Sequence, residues 1–267
     1  MTKIDYQETT EDLKTRINIH DKYGSRDIDE WMLGLLKLEK SSKILDVGCG
    51  SGKQLKSYHN YLDGEAEIVG GDVNQELLDQ ARDLNAEFGN AWTIMDLDFD
   101  KRFPFDDGEF DLVSCCFAIY YANDIPFTIA EMHRALKPGG QLFTTGPMPE
   151  NKQLFYDVIK EATDTEIPPM PGSSRYASEI LSAVKERFSE TELHIFENPL
   201  VFDAVEPFLA YTGASLSEDR RLWKGLFQGK EGYQKVMRQI EEVAHKRFEC
   251  DGELVMTKVV GGILAEK

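Results

Sequence analysis

The sequence predicts an α/β protein with a doubly wound, mostly parallel sheet. Two observations support this fold class. From residue 43 onward, short runs of β-forming residues alternate with segments of helical periodicity. Strands separated by helices need crossover connections, and right-handed crossovers produce a parallel sheet covered on both faces. A glycine-rich turn follows the first strand, at the edge where such sheets bind ligands.

Five strands are predicted in the first part of this core. Each run of β-forming residues is bounded by a helix or by turn residues, and the helix before the fifth strand is stopped by Pro138 and Gly139. Asn74 is a predicted helix N-cap. The five predicted strands are 43–48, 66–73, 91–98, 110–121 and the run QLFTTGP at 141–147.

In the second half of the chain, the regular alternation of predicted strands and helices changes. Segments 192–202 and 257–267 are predicted as a sixth and a seventh strand, and the Gly261-Gly262 pair predicts a bulge in the seventh. The residues between these strands are mostly helical, and an insertion of that size is more often a functional lid than a connector. The predicted organisation is a helical N-terminal cap at 1–42, a core at 43–202 with 251–267, and a helical lid at 203–250.

Composition limits the possible partners. The formal charge of −18 repels phosphate backbones, so a general nucleic-acid binder is disfavoured. The four cysteines form no CxxC pair, and we see neither a secretory leader nor an apolar run of about 20 residues. We therefore expect a cytoplasmic protein without a membrane segment. The sequence shows no cluster of His and carboxylate residues that would predict a metal site. It does not predict the oligomeric state.

The glycine turn is the first candidate binding element. A dinucleotide-binding fingerprint would need a third glycine at position 53, where this chain has Lys53. Gly48 and Gly50 still permit positive φ and close approach of a ligand, and the helix that follows offers amides to an anionic group. Asp46 would repel a pyrophosphate but attract an ammonium group. A zwitterionic amino-acid group satisfies both conditions.

Two further acids extend the site. Asp72 ends the second strand, the position from which a carboxylate reaches the hydroxyls of a ribose. Asp96 ends the third strand and can accept a hydrogen bond from an exocyclic amine such as that of adenine. An amino acid, a ribose and an adenine together describe S-adenosylmethionine.

Four motifs, in this order and spacing, resemble those of class I S-adenosylmethionine-dependent methyltransferases over roughly residues 40–147. They are ILDVGCGSG, VGGDVN, MDLDFDKRFPFDDGEFDLVSC and RALKPGGQLF. The resemblance implies a Rossmann-like sheet of seven strands, with the seventh antiparallel between the fifth and sixth. It assigns cofactor contacts to three groups of residues: Asp46, Gly48, Cys49 and Gly50 for methionine; Asp72, Val73, Asp96 and Leu97 for the nucleoside; Cys116 and Phe117 for the methionyl and sulfonium region.

The predicted methyl acceptor is a small molecule. The fourth-strand segment SCCFAIYY lacks the Asn/Asp-Pro-Pro-aromatic motif of enzymes that methylate nucleic-acid bases. By resemblance, the chain is similar to ubiquinone/menaquinone-type and natural-product methyltransferases. A protein or peptide side chain as acceptor, and a regulatory subunit without catalysis, remain alternatives. An NAD-linked oxidoreductase is the weakest rival, because Lys53 and Asp46 contradict it.

Aromatic residues outside the core motifs predict an aromatic-lined pocket for in-line methyl transfer. An oxygen or carbon acceptor must also lose a proton, and the candidate proton acceptors by chemical type are Tyr120, then Tyr23 and His20. The acceptor atom (oxygen, nitrogen or carbon) stays open. The later aromatic residues in this prediction are Tyr176, Phe208, Tyr211, Trp223, Phe227 and Tyr233.

Cys49 and the pair Glu131 and Arg134 have simple structural interpretations. Cys49 stands at a helix start, where a thiol can be activated, but we favour a small residue that fills tight space. Glu131 and Arg134, three residues apart on a helix, are interpreted as a surface ion pair.

Overall fold

The computed structural model describes residues 9–165, 167, 170–216 and 229–267. The chain divides into two compact units. The helical unit comprises 1–27, 149–171 and 197–259, and the sheet unit comprises 28–148, 172–196 and 260–267. These boundaries differ from the predicted cap, core and lid, because residues 28–42 belong to the sheet unit and residues 149–171 belong to the helical unit. Trp223 and Phe227 lie outside the described residues.

The sheet has the predicted topology. Its seven strands lie in the order β3-β2-β1-β4-β5-β7-β6, with β1 to β5 parallel and β7 antiparallel to β5. This confirms the predicted fold class and the position of the seventh strand. The strands are β1 (Lys43–Val47), β2 (Glu67–Asp72), β3 (Thr93–Asp96), β4 (Phe110–Cys116), β5 (Leu136–Pro147), β6 (Glu190–Phe202) and β7 (Leu254–Glu266).

Helices connect the strands and form most of the helical unit. Asn74 caps one of them as predicted, because its side chain accepts hydrogen bonds from the amides of Glu76 and Leu77. The described helices are α1 (Thr10–Tyr23), α2 (Ile28–Leu35), α3 (Lys53–Tyr61), α4 (Gln75–Glu87), α5 (Ile125–Ala135), α6 (Gln153–Thr163), α7 (Pro171–Arg175), α8 (Leu181–Arg187), α9 (Val205–Ser215) and α10 (Gly229–Asp251). A 3₁₀ turn (Ile119–Tyr121) precedes α5, and a π-helical turn (Tyr176–Ile180) joins α7 to α8.

The fourth strand is shorter than predicted. We expected it to continue to residue 121 because the apolar run continues, but β4 ends at Cys116. Phe117 has a φ of 57°, a left-handed conformation that a strand cannot contain. The amide of Phe117 donates to the Thr145 carbonyl, and the chain then enters the 3₁₀ turn.

The predicted bulge at Gly261-Gly262 is wrong. Both glycines keep regular antiparallel register with β5. They make room for large side chains instead: a Cβ on Gly261 would lie 2.9 Å from the Tyr176 ring, and one on Gly262 would lie 2.8 Å from Trp31. Close packing, rather than an irregular ladder, explains the pair.

Apolar residues of β1 and β4 form the centre of the sheet unit. Ile44 and Leu112 are completely buried, and they pack with Leu55 and Tyr58 from the inner face of α3. The spacing of three residues between Leu55 and Tyr58 puts both side chains on the same side of the helix. The sheet edge that carries the glycine turn therefore rests on a dense core.

The predicted aromatic pocket lacks support from three of its members. Phe208 and Tyr211 are buried in the core of the helical unit, which α6, α9 and α10 share. Tyr176 is buried in the sheet unit, where its hydroxyl donates to the Thr144 carbonyl at 2.7 Å. Tyr233 is 39% exposed. Aromatic composition alone does not tell a core side chain from one that lines a pocket.

The interpretation of Glu131 and Arg134 as a surface pair is also wrong. Their side chains are 11% and 15% exposed, and two hydrogen bonds of 2.8 and 3.2 Å reach one oxygen of Glu131. The Arg134 guanidinium also donates to the carbonyls of Phe103 and Phe105. The pair therefore fastens the loop between β3 and β4 to α5.

No helix in the described part of the chain combines the length and apolar character needed to cross a membrane. Across those same residues, His, Cys, Asp and Glu side chains form no group of three that could hold a metal ion.

Candidate functional site

The glycine turn lies between β1 and α3, at the carboxyl edge of the sheet. Gly48, Gly50 and Gly52 all have positive φ, between 53° and 85°. The amides of Gly48 and Cys49 both donate to the Gly71 carbonyl, at 2.7 and 3.0 Å. The turn is thus fixed against the end of β2, and three of its residues adopt conformations that only glycine accepts readily.

The first two glycines serve different purposes. A Cβ on Gly48 would lie 2.6 Å from the Cβ of Ala118, so Gly48 is needed for packing against the segment after β4. A Cβ on Gly50 would have its nearest contact at 4.0 Å, with Leu77. We expected a ligand against bare backbone at both positions, but only Gly50 leaves that space open.

This difference gives a matched pair of variants. Gly48→Ala should lower the melting temperature strongly, because it adds a steric clash to a left-handed backbone, whereas Gly50→Ala adds only the backbone strain of about 1–2 kcal/mol. Thermal unfolding followed by circular dichroism measures both. Equal losses for the two variants would contradict the packing role of Gly48.

Asp46 lies under this turn and is almost completely buried, at 1% exposure. The Ser114 hydroxyl donates to its Oδ1 at 2.6 Å. The pKa of Asp46 is raised to about 7, mainly by burial and to a lesser extent by the charge of Asp72, while the Ser114 hydrogen bond opposes the rise. A cation beside this carboxylate would stabilise its charged form.

Asp72 links the end of β2 to the glycine turn. Its Oδ2 accepts the Gly50 amide at 3.0 Å, and its Oδ1 accepts the Asn74 amide at 2.9 Å. Both hydrogen bonds fix the orientation of the carboxylate. Each oxygen keeps a further lone pair that can accept from a ligand hydroxyl.

The nucleoside candidates follow Asp72 and lie beside it. Val73 is 55% exposed, an unusual position for an apolar side chain at a sheet edge. Asp96 pairs in register with Asp72 and is exposed, and Gln75 donates to one of its oxygens at 2.6 Å. Leu97 is buried, and its amide donates to the Asp72 carbonyl. An exposed apolar side chain that follows Asp72 at this end of the sheet suits a flat heterocycle.

The segment after β4 completes this edge. Cys116 is half-buried, and burial raises its pKa well above that of a free thiol. Phe117, with its left-handed backbone, turns the chain at the same edge. Strained residues of this kind cluster at functional sites.

The comparisons with known proteins agree with this geometry. Residues 44–140, which contain the glycine turn and all three acids, match the family model described as a methyltransferase domain. Residues 44–140 form a class I S-adenosylmethionine-dependent methyltransferase domain. Both the family match and the strand order support this statement.

One curated relative of the methyltransferase domain is the demethylmenaquinone methyltransferase of Chlorobaculum tepidum. It is 33% identical over 163 residues, which cover 59% of this chain and 63% of that protein. A ubiquinone/menaquinone biosynthesis C-methyltransferase from Saccharophagus degradans is 29% identical over 114 residues, which cover 42% of this chain. The chain spans 46% of the length of this second relative.

Solved structures share the fold beyond the methyltransferase domain. A Bacillus halodurans protein assigned as a methyltransferase superposes with a TM-score of 0.56 at 21% identity, covering 90% of this chain and 98% of that one. At this identity, the likeness shows the fold alone.

Cys49 of the methyltransferase domain fills space. It is 7% exposed, and a Cβ on Gly70 would lie 3.1 Å from its sulfur. Burial raises the pKa of its thiol, and the charges of Asp46 and Asp72 raise it further. These observations favour packing over an activated thiol.

Tyr120 lies in the 3₁₀ turn that follows β4 in the methyltransferase domain. Its ring packs against Gly172, where an added Cβ would lie 3.1 Å away, and against Tyr121 at 4.6 Å between ring centroids. Arg175 donates to the carbonyls of Tyr120 and Ala122, at 2.8 and 3.0 Å. Arg175 could not be predicted, because a single arginine after a proline-rich segment carries no recognisable pattern.

The other two candidate proton acceptors belong to the helical unit. Tyr23 packs on Phe202, with ring centroids 5.1 Å apart. His20 contacts Tyr211, and burial together with the charge of Lys258 lowers the pKa of His20 to about 2. A histidine with so low a pKa is a poor proton acceptor at neutral pH.

Proposed function

We propose that the protein transfers a methyl group from S-adenosylmethionine to a small-molecule acceptor. The observation that carries the proposal is the Asp72 carboxylate, which the amides of Gly50 and Asn74 hold at the carboxyl end of β2. The two amides leave one lone pair on each oxygen for ribose hydroxyls. The family match of residues 44–140 supports the same cofactor.

The residues present fit this cofactor. Gly50 leaves open space beside the turn, Val73 exposes an apolar face, and Asp96 keeps one oxygen without a hydrogen bond to any described residue. Asp46 supplies negative charge beneath the turn, where it favours an ammonium group. When bound, the cofactor supplies an electrophilic methyl group on a cationic sulfur. We retain Gly48, Cys49, Leu97, Cys116 and Phe117 as residues that shape the site.

The small-molecule acceptor rests on the names of the curated relatives, one of which is a demethylmenaquinone methyltransferase. The net charge of −18 also favours a neutral or cationic acceptor over a nucleic acid. Where a proton must leave, we propose Tyr120 as its first acceptor, because the 3₁₀ turn begins only three residues after the end of β4. Tyr23, a role for residues 203–250 as a lid, and a cytoplasmic location remain predictions.

Two measurements test the function. Isothermal titration calorimetry should show binding of S-adenosylmethionine with a micromolar dissociation constant. Incubation with methyl-labelled cofactor and a cell extract should then place the label in the low-molecular-weight fraction. Label in the protein fraction would favour a protein side chain as acceptor. Binding without any transfer would favour a regulatory role, and absence of binding would reject the proposal.

A further inference from the structure

Phe99 lies at the same carboxyl end of the sheet as Asp46, Asp72 and Asp96, and it is not among the residues assigned to the cofactor above. It follows β3 by three residues, and its side chain is half-buried. The ring atom Cε1 would lie 3.9 Å from a Cβ on Gly48. The ring therefore stands beside the turn that follows β1 and near Ala118, which follows β4.

Several hydrogen bonds fix the backbone at this position. The Phe99 carbonyl accepts the Thr128 hydroxyl at 3.0 Å. The Asp100 carboxylate accepts the amides of Asn123 and Asp124, at 2.7 and 3.2 Å, and the side-chain amide of Asn123. These contacts, which we call the Asp100 latch, join the loop after β3 to the start of α5. The latch holds the Phe99 backbone in place without help from a ligand.

The charges around this edge favour a cation. Asp72 and Asp96 are the last residues of β2 and β3, and Asp46 is the last but one of the neighbouring β1. Two nearby lysines already pair with other acids: Lys53 with Asp29 at 3.2 Å and Lys101 with Asp98 at 3.1 Å. An aromatic ring at such an edge can hold a cation against its face.

We infer that the Phe99 ring, held by the Asp100 latch, contacts the sulfonium end of the cofactor and selects the cationic donor over its neutral-sulfur product. The inference rests on the proposed function. S-adenosylmethionine and S-adenosylhomocysteine share the amino acid, the ribose and the adenine, and they differ in the methyl group and the positive charge on sulfur. A contact made through the ring face therefore changes the ratio of the two affinities.

Calorimetry with both compounds tests the inference on the full chain. Phe99→Leu should weaken binding of S-adenosylmethionine roughly three- to tenfold and change binding of S-adenosylhomocysteine by less than about twofold. Phe99→Tyr keeps a ring and should preserve the parent ratio. Phe127→Leu, at an exposed phenylalanine of α5, is the matched control and should behave as the parent.

The Asp100 latch leads to a second prediction. Asp100→Ala should lower the preference for S-adenosylmethionine in the parent and should add nothing to the ratio in the Phe99→Leu background, because both changes act through the ring. Thermal unfolding checks that each variant folds. If Phe99→Leu does not fold, Phe99→Met replaces it.

The outcomes separate the two proposals. Equal weakening of both compounds by Phe99→Leu, or no change in either, would overturn the role of Phe99 and leave the proposed function intact. Failure of the parent protein to bind either compound would overturn the proposed function and this inference with it.

Discussion

Asp72→Ala should weaken binding of S-adenosylmethionine by at least about 100-fold. Two hydrogen bonds that ribose hydroxyls donate to a carboxylate contribute about 1.5–3 kcal/mol each, so losing both corresponds to that factor or more. The variant also leaves the amides of Gly50 and Asn74 without their acceptor. Asp72→Asn keeps the volume and one acceptor oxygen, so its effect should be intermediate. Isothermal titration calorimetry measures all three proteins.

The control for this series is Asp79→Ala. Asp79 is an exposed acid on α4 that pairs with Arg82, and its removal should leave cofactor affinity unchanged. If Asp72→Ala binds the cofactor as tightly as the parent, the ribose assignment is lost. A similar loss in Asp79→Ala would point instead to a general effect of net charge.

The second large effect concerns Asp46 and pH. With a pKa of about 7, the ionised fraction of Asp46 rises from roughly a tenth at pH 6 to about three quarters at pH 7.5. If the cofactor ammonium favours the ionised form, affinity should rise roughly five- to tenfold over this interval. Asp46→Asn should lower the affinity at pH 7.5 and remove most of the rise.

Proton release gives an independent measurement of the same linkage. Calorimetry near pH 6.5 in buffers of different ionisation enthalpy should show protons leaving when the cofactor binds the parent, and much less release for Asp46→Asn. The range ends at pH 7.5, because an α-amino group has a pKa of about 7.7–8.0 and is mostly deprotonated at higher pH. A flat pH profile for the parent would show that Asp46 does not sense the ligand.

Asp46 should also affect stability, and there its ionised form is unfavourable. Its pKa is raised in the folded state, so the penalty is absent below about pH 4, grows as pH rises, and is complete above about pH 7. A rise of this size corresponds to at most about 4 kcal/mol. Asp46→Asn should therefore raise the free energy of unfolding at pH 8 and change it little at pH 4. Urea denaturation at both pH values measures the difference.

The order of the elements could be predicted because each strand of the core is a short apolar run next to a periodic helix. The three acids at the sheet edge could be placed for a related reason: each stands at or near the end of such a run. The end of β4 could not be placed, because the apolar letters continue past Phe117, whose left-handed backbone depends on its tertiary surroundings. The role of the glycines at 261 and 262 could not be predicted either, because they make room for the side chains of Tyr176 and Trp31, which are distant in sequence.

Side-chain direction was the largest gap at the candidate site. Phe99 lies among three aspartates in the run MDLDFDKR, and that composition does not show that Asp100 fastens the loop to α5. His20 was chosen by chemical type, but its burial, which lowers its pKa, depends on partners distant in sequence such as Tyr211. Long-range packing determines these roles.

The hydrogen bonds from Arg175 have a consequence for substrate recognition. The guanidinium already occupies the main-chain oxygens of Tyr120 and Ala122. An acceptor bound beside Tyr120, as proposed above, would therefore meet a rigid segment whose ordering entropy was lost at folding. Structures with and without an acceptor should superpose closely over residues 119–122. Discrimination between acceptors would then depend on shape, and wider specificity would require release of that arginine.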